Sequence, residues 1–551
     1  MATTGILRSR RSAAERHALV SVEREIRATD HSACRQYLRD FRDAYRSYER
    51  VLTPVQVQTA IADSGVALVG DYHALPNSPR YLATLIHDAS LRHRPVVLGV
   101  ETIFSRDQHI LDEWWRGEID EAELRERIRF DLDWGYDWAP FFELLCAARD
   151  CAAGLYGLDC MPREDLRKIG ARDRHAADKI AEIRGSHPEA LIFVLFGESH
   201  LAPKHMPALV RERLPEEQIL TILQNVDALY WRAAGEVSDH VEAVQVSEDV
   251  LCVFNATPLE KYENYRLYLN RWGRDGSGVP DLGPTVYNLV DGLVRLLEIN
   301  RYSPHNSSQP RLLVDLMPEV YSRSSDALLR RLLSRRGFTV SQRRATMHRI
   351  RERGSAYLPP LNAVCVQKFQ MMTAAEDAAR FLHHACRGLP YCISARIGST
   401  PAPYDAFYAA TLEHALACFG SRVLYPARPA FRDADLLELY ELTREDLEHQ
   451  TSLGYAQTVE AIDFLVMHRE SDRTGRKTND VAEWLKQSFA GSSRSHEFVT
   501  DRLGCLLGND LYDAYLDGRL KPAALRKLFL THIEDTGAAT ETYSQLADRL
   551  R

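Results

Sequence analysis

The chain has 551 residues, which is too long for one ordinary hydrophobic core and predicts two or three domains. Its 69 basic and 77 acidic residues give a formal net charge of −8. That balance argues against nucleic-acid binding as the main activity. No apolar run approaches the ~20 residues that span a bilayer, and the basic amino terminus lacks the apolar core of a secretory signal. The sequence therefore predicts a cytoplasmic protein that does not insert into membranes.

The ten cysteines are scattered along the chain and form no Cys-x-x-Cys pair. Zinc sites and disulfide frameworks have regular cysteine spacings, which are missing here. We expect reduced thiols that pack as small apolar side chains.

The predicted elements change in character along the chain. Residues 1–49 are predicted to form an N-terminal helical extension, because Tyr37, Phe41 and Tyr45 recur at helical spacing. Residues 50–272 alternate strands and helices, which predicts an α/β domain with a mainly parallel sheet and right-handed crossovers. Six strands are expected, near residues 66–70, 96–101, 154–158, 190–196, 218–223 and 249–254.

The second half of the chain is predicted to be mostly α-helical. A stretch rich in glycine and proline opens a linker at residues 273–310 that holds one helix. Residues 311–551 follow as a helical accessory domain, in which Val340 and Ala363–Phe369 could form short strands. We expect this region to serve interaction or regulation, to allow homo-oligomer formation, and to add no second active site.

An arginine-rich segment lies in that accessory domain. Nine arginines and one acidic residue, Glu352, occur between Arg330 and Arg353. Cations at a helix end favour the helix dipole, which explains part of the pattern. A surface for phosphate or for an acidic partner is the alternative reading.

Two apolar strand-like runs end in the pattern glycine, acid, any residue, histidine. They are Gly70-Asp71-Tyr72-His73 and Gly197-Glu198-Ser199-His200, and a third run delivers Glu101. Residues two apart on an extended chain share a side, so we expect Asp71 beside His73 and Glu198 beside His200. The carboxyl ends of parallel strands form the ligand crevice of an α/β sheet. The histidines and carboxylates are therefore predicted to converge on one pocket.

The predicted pocket admits more than one chemistry. His73, Glu101 and His200 could bind zinc, manganese, cobalt or iron, and an open position on the metal would activate water. Without metal, a histidine polarised by a carboxylate could act as a general base on water while the second histidine protonates a leaving group. A pocket that binds a ligand without catalysis, and histidines that merely cap helices, are the remaining readings. Asp71, Glu198, Tyr72 and Arg106 are assigned to the pocket lining.

These motifs resemble the superfamily that groups ChaN-like haem-binding uptake proteins, Tiki-type metalloproteases and erythromycin esterases. The ChaN-like branch is the most similar, because the segments Ser105–Trp115, Trp134–Pro140 and Arg172–Ile180 also look like it. The resemblance covers about residues 50–272, and the family has Glu more often than Asp71 in the first motif. It implies an α/β fold and a small-molecule or peptide ligand. Tiki-like members suggest metal-dependent hydrolysis of an amide or ester, and esterase-like members suggest a metal-free reaction.

The resemblance also implies haem or iron binding. Haem iron takes histidine, cysteine, methionine or tyrosine ligands. Tyr72, Tyr136 and His109 are conceivable ligands, although no spacing singles out one of them. Tyr72 alternates away from Asp71 and His73 and is expected to pack inward.

Overall fold

The computed structural model describes most of the chain. The described residues are 11–30, 36–92, 94–161, 169–236, 241–272, 280–302, 313–388, 403–445, 455–475, 493–533 and 536–551. Their contacts divide the chain into two compact units. One unit is Val22–Gly276, called the α/β unit below; the other is Met1–Ser21 together with Ser277–Arg551, called the helical unit. The domain boundaries given above remain predictions.

The α/β unit is built on an eight-stranded sheet. Its strands are β1 (Arg50–Leu52), β2 (Val66–Asp71), β3 (Val96–Phe104), β4 (Gly154–Asp159), β5 (Leu191–Gly197), β6 (Ile219–Gln224), β7 (Ala243–Ser247) and β8 (Val250–Val253). The strand order is β1-β7-β8-β6-β2-β5-β3-β4, and all neighbours from β8 to β4 are parallel. Strand β7 is antiparallel to both β8 and β1. The six predicted strands are the parallel ones, which confirms the α/β fold class.

Helices cover the sheet on both sides. In chain order they are α1 (Ala13–Thr29), α2 (Gln36–Ala44), α3 (Pro54–Asp63), α4 (Asn77–Ser90), α5 (Gln108–Trp115), α6 (Glu121–Arg127), α7 (Phe130–Asp133), α8 (Trp138–Cys151), α9 (Ile169–Ser186), α10 (Met206–Arg213), α11 (Asp227–Glu236) and α12 (Pro258–Trp272). Helix α1 has residues in both compact units. Two short 3-10 turns, Ser105–Asp107 and Glu198–Leu201, follow β3 and β5.

Alternate residues of the central strands enter different cores. Val69 and Leu195 belong to one buried cluster, whereas Leu68 and Val194 belong to the other. A strand buried on both faces must be apolar throughout, which is why β5 reads Leu-Ile-Phe-Val-Leu-Phe-Gly. The two cores leave the carboxyl ends of the strands as the place where polar side chains gather.

The helical unit contains a small sheet and the remaining helices. The strands are β9 (Glu319–Tyr321), β10 (Ser355–Leu358) and β11 (Ala363–Val366), with β11 antiparallel to β10 and parallel to β9. The helices are α13 (Gly283–Leu296), α14 (Asp326–Arg335), α15 (Val340–Arg353), α16 (Met371–Cys386), α17 (Pro403–Leu424), α18 (Asp433–Glu445), α19 (Tyr455–Thr474), α20 (Ser493–Leu516), α21 (Pro522–Leu530) and α22 (Ala538–Leu550).

The prediction of a short strand at Val340 is wrong. Val340 is the first residue of α15, and Thr339 caps that helix through a reciprocal pair of hydrogen bonds with Gln342. A β-branched residue favours strands weakly, and this capping box overrides the preference. The helical character predicted for the second half of the chain is confirmed. None of the helices in the described ranges is long and apolar enough to cross a membrane.

Candidate functional site

The residues of the two motifs lie on neighbouring strands. Strands β2 and β3 flank β5, and Asp71 pairs in register with Gly197. Glu101 directly follows the last β3–β5 pair, Val100 with Leu195. Strand β3 continues to Phe104 through a register shift, so Glu101 lies at an irregularity within the strand and not at its end. The structure thus brings Asp71, Glu101 and Gly197 to one edge of the sheet.

His73 forms a dyad with Asp71, as the extended-chain spacing predicts. The Nδ1 atom of His73 lies 2.7 Å from Oδ2 of Asp71. Because a carboxylate only accepts hydrogen bonds, Nδ1 carries the proton and donates it, which leaves Nε2 with a lone pair. Nε2 of His73 lies 4.0 Å from Oε2 of Glu101. The imidazole is a quarter exposed and lies against the rings of Trp134 and Tyr136, at 4.4 and 5.3 Å between centroids.

His200 forms a second dyad, but with a carboxylate other than the predicted one. Residues Glu198–Leu201 form a 3-10 turn, in which side chains do not alternate as they do along an extended strand. The expected pairing of Glu198 with His200 is therefore wrong. The Nδ1 atom of His200 donates instead to Asp173 of α9. The hydroxyl of Tyr37 donates to the other Asp173 oxygen at 3.0 Å. His200 is buried, and its Nε2 lies 3.9 Å from Oε1 of Glu101.

Glu101 lies between the two dyads and is held from several directions. Its Oε1 accepts from Arg172 Nη2 at 2.6 Å, and its Oε2 accepts from the Gly197 N–H at 2.6 Å. Burial opposes ionisation, yet the electrostatic attraction of His200, Arg172 and His73 and the Gly197 N–H favour the anion and hold the pKa of Glu101 at about 2. Glu101 is therefore an anion that faces both imidazoles.

Arg172 fixes Glu101 through a second buried carboxylate. Its Nε and Nη2 donate to the two oxygens of Asp159 at 2.8 and 2.9 Å, while Nη2 also reaches Glu101. All three side chains are buried. A planar guanidinium can bind two carboxylates in fixed directions, which an ammonium group cannot do. The network orients Glu101 and leaves little freedom for its carboxylate to rotate.

Glu198 and Tyr72 form a separate cluster with Lys261 of α12. Lys261 Nζ lies 3.2 Å from Oε2 of Glu198 and donates to the backbone oxygen of Asn225. It also lies 4.4 Å above the ring of Tyr72. Burial alone would lower the pKa of Lys261, but the Glu198 carboxylate raises it, so the ammonium stays charged. The inward packing of Tyr72 brings it onto this ion pair, and Tyr72 lies apart from the histidine dyads.

A small void lies beside His73. It has a volume of about 20 Å³ and is lined by Asp71, Thr102, Trp134 and Tyr136, among other residues. That volume is enough for one water molecule. Oδ1 of Asp71 is buried and has no hydrogen-bond partner among the described residues. A buried, unpaired carboxylate oxygen is costly, so a water or ligand donor is expected at this point.

Arg106 does not join the pocket in the described contacts. It is more than half exposed, lies 3.5 Å from Asp107, and covers the ring of Phe104 at 4.9 Å. It belongs to the 3-10 turn after β3, which carries it past the strand edge where Glu101 lies. The assignment of Arg106 to the pocket lining is therefore not supported by the contacts of the described residues.

The sequence gives no prediction that Arg172, Asp173, Asp159 and Tyr37 belong to the site. The signal for Arg172 and Asp173 is their position on α9, because Arg172, Ala176 and Ile180 lie one turn apart on a buried face. A charged residue within a buried helical stripe marks a paired group. Tyr37 could not be identified in this way, because its contact with Asp173 joins residues far apart in the chain.

The predicted metal set is not found among the described residues. No group of three or more His, Cys, Asp or Glu side chains within those residues has an arrangement that could hold a metal ion. The donor chemistry gives a reason: Arg172 and the Gly197 N–H already occupy the two oxygens of Glu101. A guanidinium in contact with the carboxylate also opposes a second cation there.

The void beside His73 does not fit a haem. Pockets that hold a ligand at least as large as a drug molecule have volumes of roughly 300 Å³ or more. Burial raises the pKa of both Tyr72 and Tyr136 well above 10. Of the three conceivable haem ligands, His109 is the exposed one, on α5.

The comparisons with known proteins agree with the fold and motif positions. Residues 57–188 match the family model described as haem-binding uptake, Tiki superfamily, ChaN. The chain contains a ChaN-like domain. The match includes His73 and Glu101 of this domain and stops before His200.

Two solved structures are similar to part of the chain. A structure of ChaN from Campylobacter jejuni with cofacially bound haem has 14% sequence identity and a TM-score of 0.27, over 36% of this chain and 91% of that chain. The structure of the type III effector HopBA1 has 14% identity and a TM-score of 0.26, over 38% of this chain and 97% of that chain. None of the curated proteins compared with the chain matches it.

Proposed function

We propose that the ChaN-like domain binds a small ester or amide at the carboxyl ends of β2, β3 and β5, and that His73 activates a water for its hydrolysis. One observation carries the proposal: two histidines, each oriented through Nδ1 by its own carboxylate, present Nε2 to the same ionised Glu101. A histidine that only caps a helix would need a single hydrogen bond. A histidine that acts as a general base needs an oriented lone pair beside a water.

The proposed water lies between Nε2 of His73 and Oε2 of Glu101, which are 4.0 Å apart. That separation is too long for a direct hydrogen bond, so a water can bridge the two atoms. In the proposed reaction, Nε2 of His73 takes the proton of a water held near Glu101. The Asp71 carboxylate and the Glu101 anion both stabilise the imidazolium that forms. His200, fixed by Asp173, lies on the other side of Glu101 and can donate a proton to the leaving group.

The hydrolysis proposal is tested with the full chain and p-nitrophenyl esters of increasing acyl length, assayed with and without EDTA. The variants are His73→Gln and His200→Gln, and the matched control is His87→Gln. His87 is an exposed histidine at the end of α4 in the same unit. We expect His73→Gln to lower the rate about 10²- to 10⁴-fold, the contribution of a general base.

Three results would count against the proposal. The first is a rate that does not exceed that of the buffer, and the second is an equal loss in His87→Gln. The third is a rate that EDTA abolishes and zinc restores, which would favour a metal-dependent reaction instead.

Haem binding is a second candidate, favoured by the description of the family model that matches residues 57–188. Because the void beside His73 is water-sized, haem would bind at an exposed face, where His109 is the available ligand. Titration of the full chain with hemin should then give a shifted Soret band. His109→Ala should remove the shift, and Tyr136→Phe should retain it. No band shift at stoichiometric hemin would dismiss this candidate.

A further inference from the structure

The helical unit contains a cleft far larger than the void beside His73. Its volume is about 770 Å³, within the range of small-molecule pockets. One wall is α15, and the other walls are formed by α16, α17 and α20 with the end of β10. The cleft and all its lining residues lie within one compact unit, outside the ChaN-like domain.

One face of α15 points into the cleft. Ser341, Arg344, His348 and Glu352 line it at helical spacing, while Met347 and Ile350 on another face are buried in the core of the unit. The amphipathic pattern therefore fixes which arginines of the basic segment reach the cleft and which point elsewhere. Arg344 is exposed and makes no ion pair or hydrogen bond with any described residue.

Two further guanidinium groups line the inner part of the cleft. Arg353 contacts Glu376 and lies 3.9 Å from Asp501. Arg380 donates to Glu413 at 2.9 Å. Partial burial and the nearby charge of Arg380 both lower the pKa of Arg353, so two half-buried guanidinium groups lie close to each other here. An anion that enters the cleft would relieve the repulsion between them.

Four further carboxylates of the cleft have partners of their own. Asp501 lies 3.1 Å from Nδ1 of His414, Glu497 lies 3.6 Å from Arg349, and Glu352 lies 3.0 Å from His348. Asp377 accepts hydrogen bonds from Ser355 and from the backbone of Tyr357. Each arginine has five N–H donors, so a carboxylate on one side orients the guanidinium and leaves donors for a ligand.

The basic segment contributes only part of its charge to the cleft. The segment from Arg330 to Arg353 has nine arginines, and three of them, Arg344, Arg349 and Arg353, line the cleft. With Arg380 the lining has four arginines and five carboxylates. The N–H donors that these arginines have left, and not a net positive field, would therefore bind an anion. The function proposed for the ChaN-like domain leaves this basic segment unexplained.

We propose that the cleft lined by Arg344, Arg353 and Arg380 is a binding site for a small phosphorylated molecule. Guanidinium groups match the geometry of phosphate oxygens and bind them through paired hydrogen bonds. The cleft volume admits a phosphate with an attached organic group, and the enclosing walls disfavour an extended polymer.

The test is isothermal titration calorimetry of the full chain with pyrophosphate at low ionic strength, followed by repetition in 0.3 M NaCl. The test variant is Arg344→Gln. The matched control is Arg331→Gln, which removes an equally exposed arginine of α14 outside the cleft. Both side chains are exposed, so neither change is expected to unfold the protein.

We expect one saturable site in the wild type, at least tenfold weaker binding in Arg344→Gln, and unchanged binding in Arg331→Gln. Absence of saturable binding, or equal weakening in both variants, would overturn the proposal. A single-stranded oligonucleotide that binds more tightly than pyrophosphate, with several proteins per strand, would also overturn it and indicate a nucleic-acid surface.

Discussion

Arg172 joins two buried carboxylates, Glu101 and Asp159, and it decides whether the site is rigid. Burying ions is expensive, and their attraction offsets the cost only when every partner is present. The guanidinium has one partner on β3 and one on β4, so the ion network also ties the site to the sheet edge. The histidines are oriented by carboxylates, and the carboxylate they share is oriented by Arg172.

Arg172→Met should destabilise the α/β unit by about 3–5 kcal/mol, because it leaves two buried carboxylates without their cation. Arg172→Lys should lower the free energy of unfolding by less, since the lysine ammonium keeps the positive charge. The measurement is urea unfolding followed by tryptophan fluorescence. Of the seven tryptophans only Trp484 lies beyond residue 276, so the signal reports mainly on this unit. As a control, Arg116→Met breaks an exposed pair with Glu118 and should change the unfolding free energy very little. Equal losses in Arg172→Met and Arg116→Met would contradict the role of Arg172.

Glu101 should make the stability of the α/β unit depend on pH. Its pKa is about 2 in the folded chain against an ordinary 4.5, so the anion stabilises the fold fully above pH 4.5. That contribution is lost as the pH falls from 4.5 towards 2. Glu101→Gln should therefore lower the urea midpoint at pH 7, and the difference from wild type should shrink at pH 3.5. Glu118→Gln, an exposed change, should differ little from wild type at both pH values. A constant difference for Glu101→Gln across this range would be inconsistent with a depressed pKa.

The elements differ in how well the sequence predicts them. The six parallel strands are predictable because strands buried on both faces must be apolar throughout. Strands β1 and β7 were not predicted, because β1 has three residues, two of them exposed, and β7 is half-buried at one end. The turn at Glu198–Leu201 could not be predicted either. Its motif matches that of Asp71–His73, and contacts from distant residues decide its shape.

One of those contacts comes from Tyr45, the residue that directly follows α2. The hydroxyl of Tyr45 donates to the backbone oxygen of Leu201 at 2.6 Å, in a buried position next to His200. Tyr45→Phe should cost about 1–3 kcal/mol, because it leaves that carbonyl oxygen buried without a donor. It should also lower the esterase rate, since the turn positions His200. Tyr48→Phe is the matched control, because its hydroxyl bonds the exposed Glu236. Urea midpoints that fall equally in the two variants would argue against a special role for Tyr45.

At the scale of the whole molecule, the sequence predicts the α/β class and the edge of the sheet where the site lies. It also predicts that His73 and His200 lie close to Glu101, and their Nε2 atoms are 4.0 and 3.9 Å from its carboxylate. The single pocket that they would share stays a prediction. The sequence does not predict the partners that orient them. Arg172, Asp173 and Tyr37 reach the site from α9 and α2, and only tertiary packing determines such contacts.

Tertiary packing also determines which part of the chain can fold by itself. The two buried clusters of the α/β unit contain residues between Phe41 and Phe254, and Phe41 of α2 and Tyr45, which directly follows α2, belong to one of them. We predict that residues 22–276 expressed alone unfold cooperatively and have the same rate in the proposed esterase assay as the full chain. Residues 50–276, which begin at the predicted domain boundary, should be less stable by several kcal/mol. Each buried aromatic side chain that is removed contributes about 1.5–3 kcal/mol. Urea unfolding of both fragments checks this, and equal midpoints would show that α2 is an accessory rather than a part of the domain.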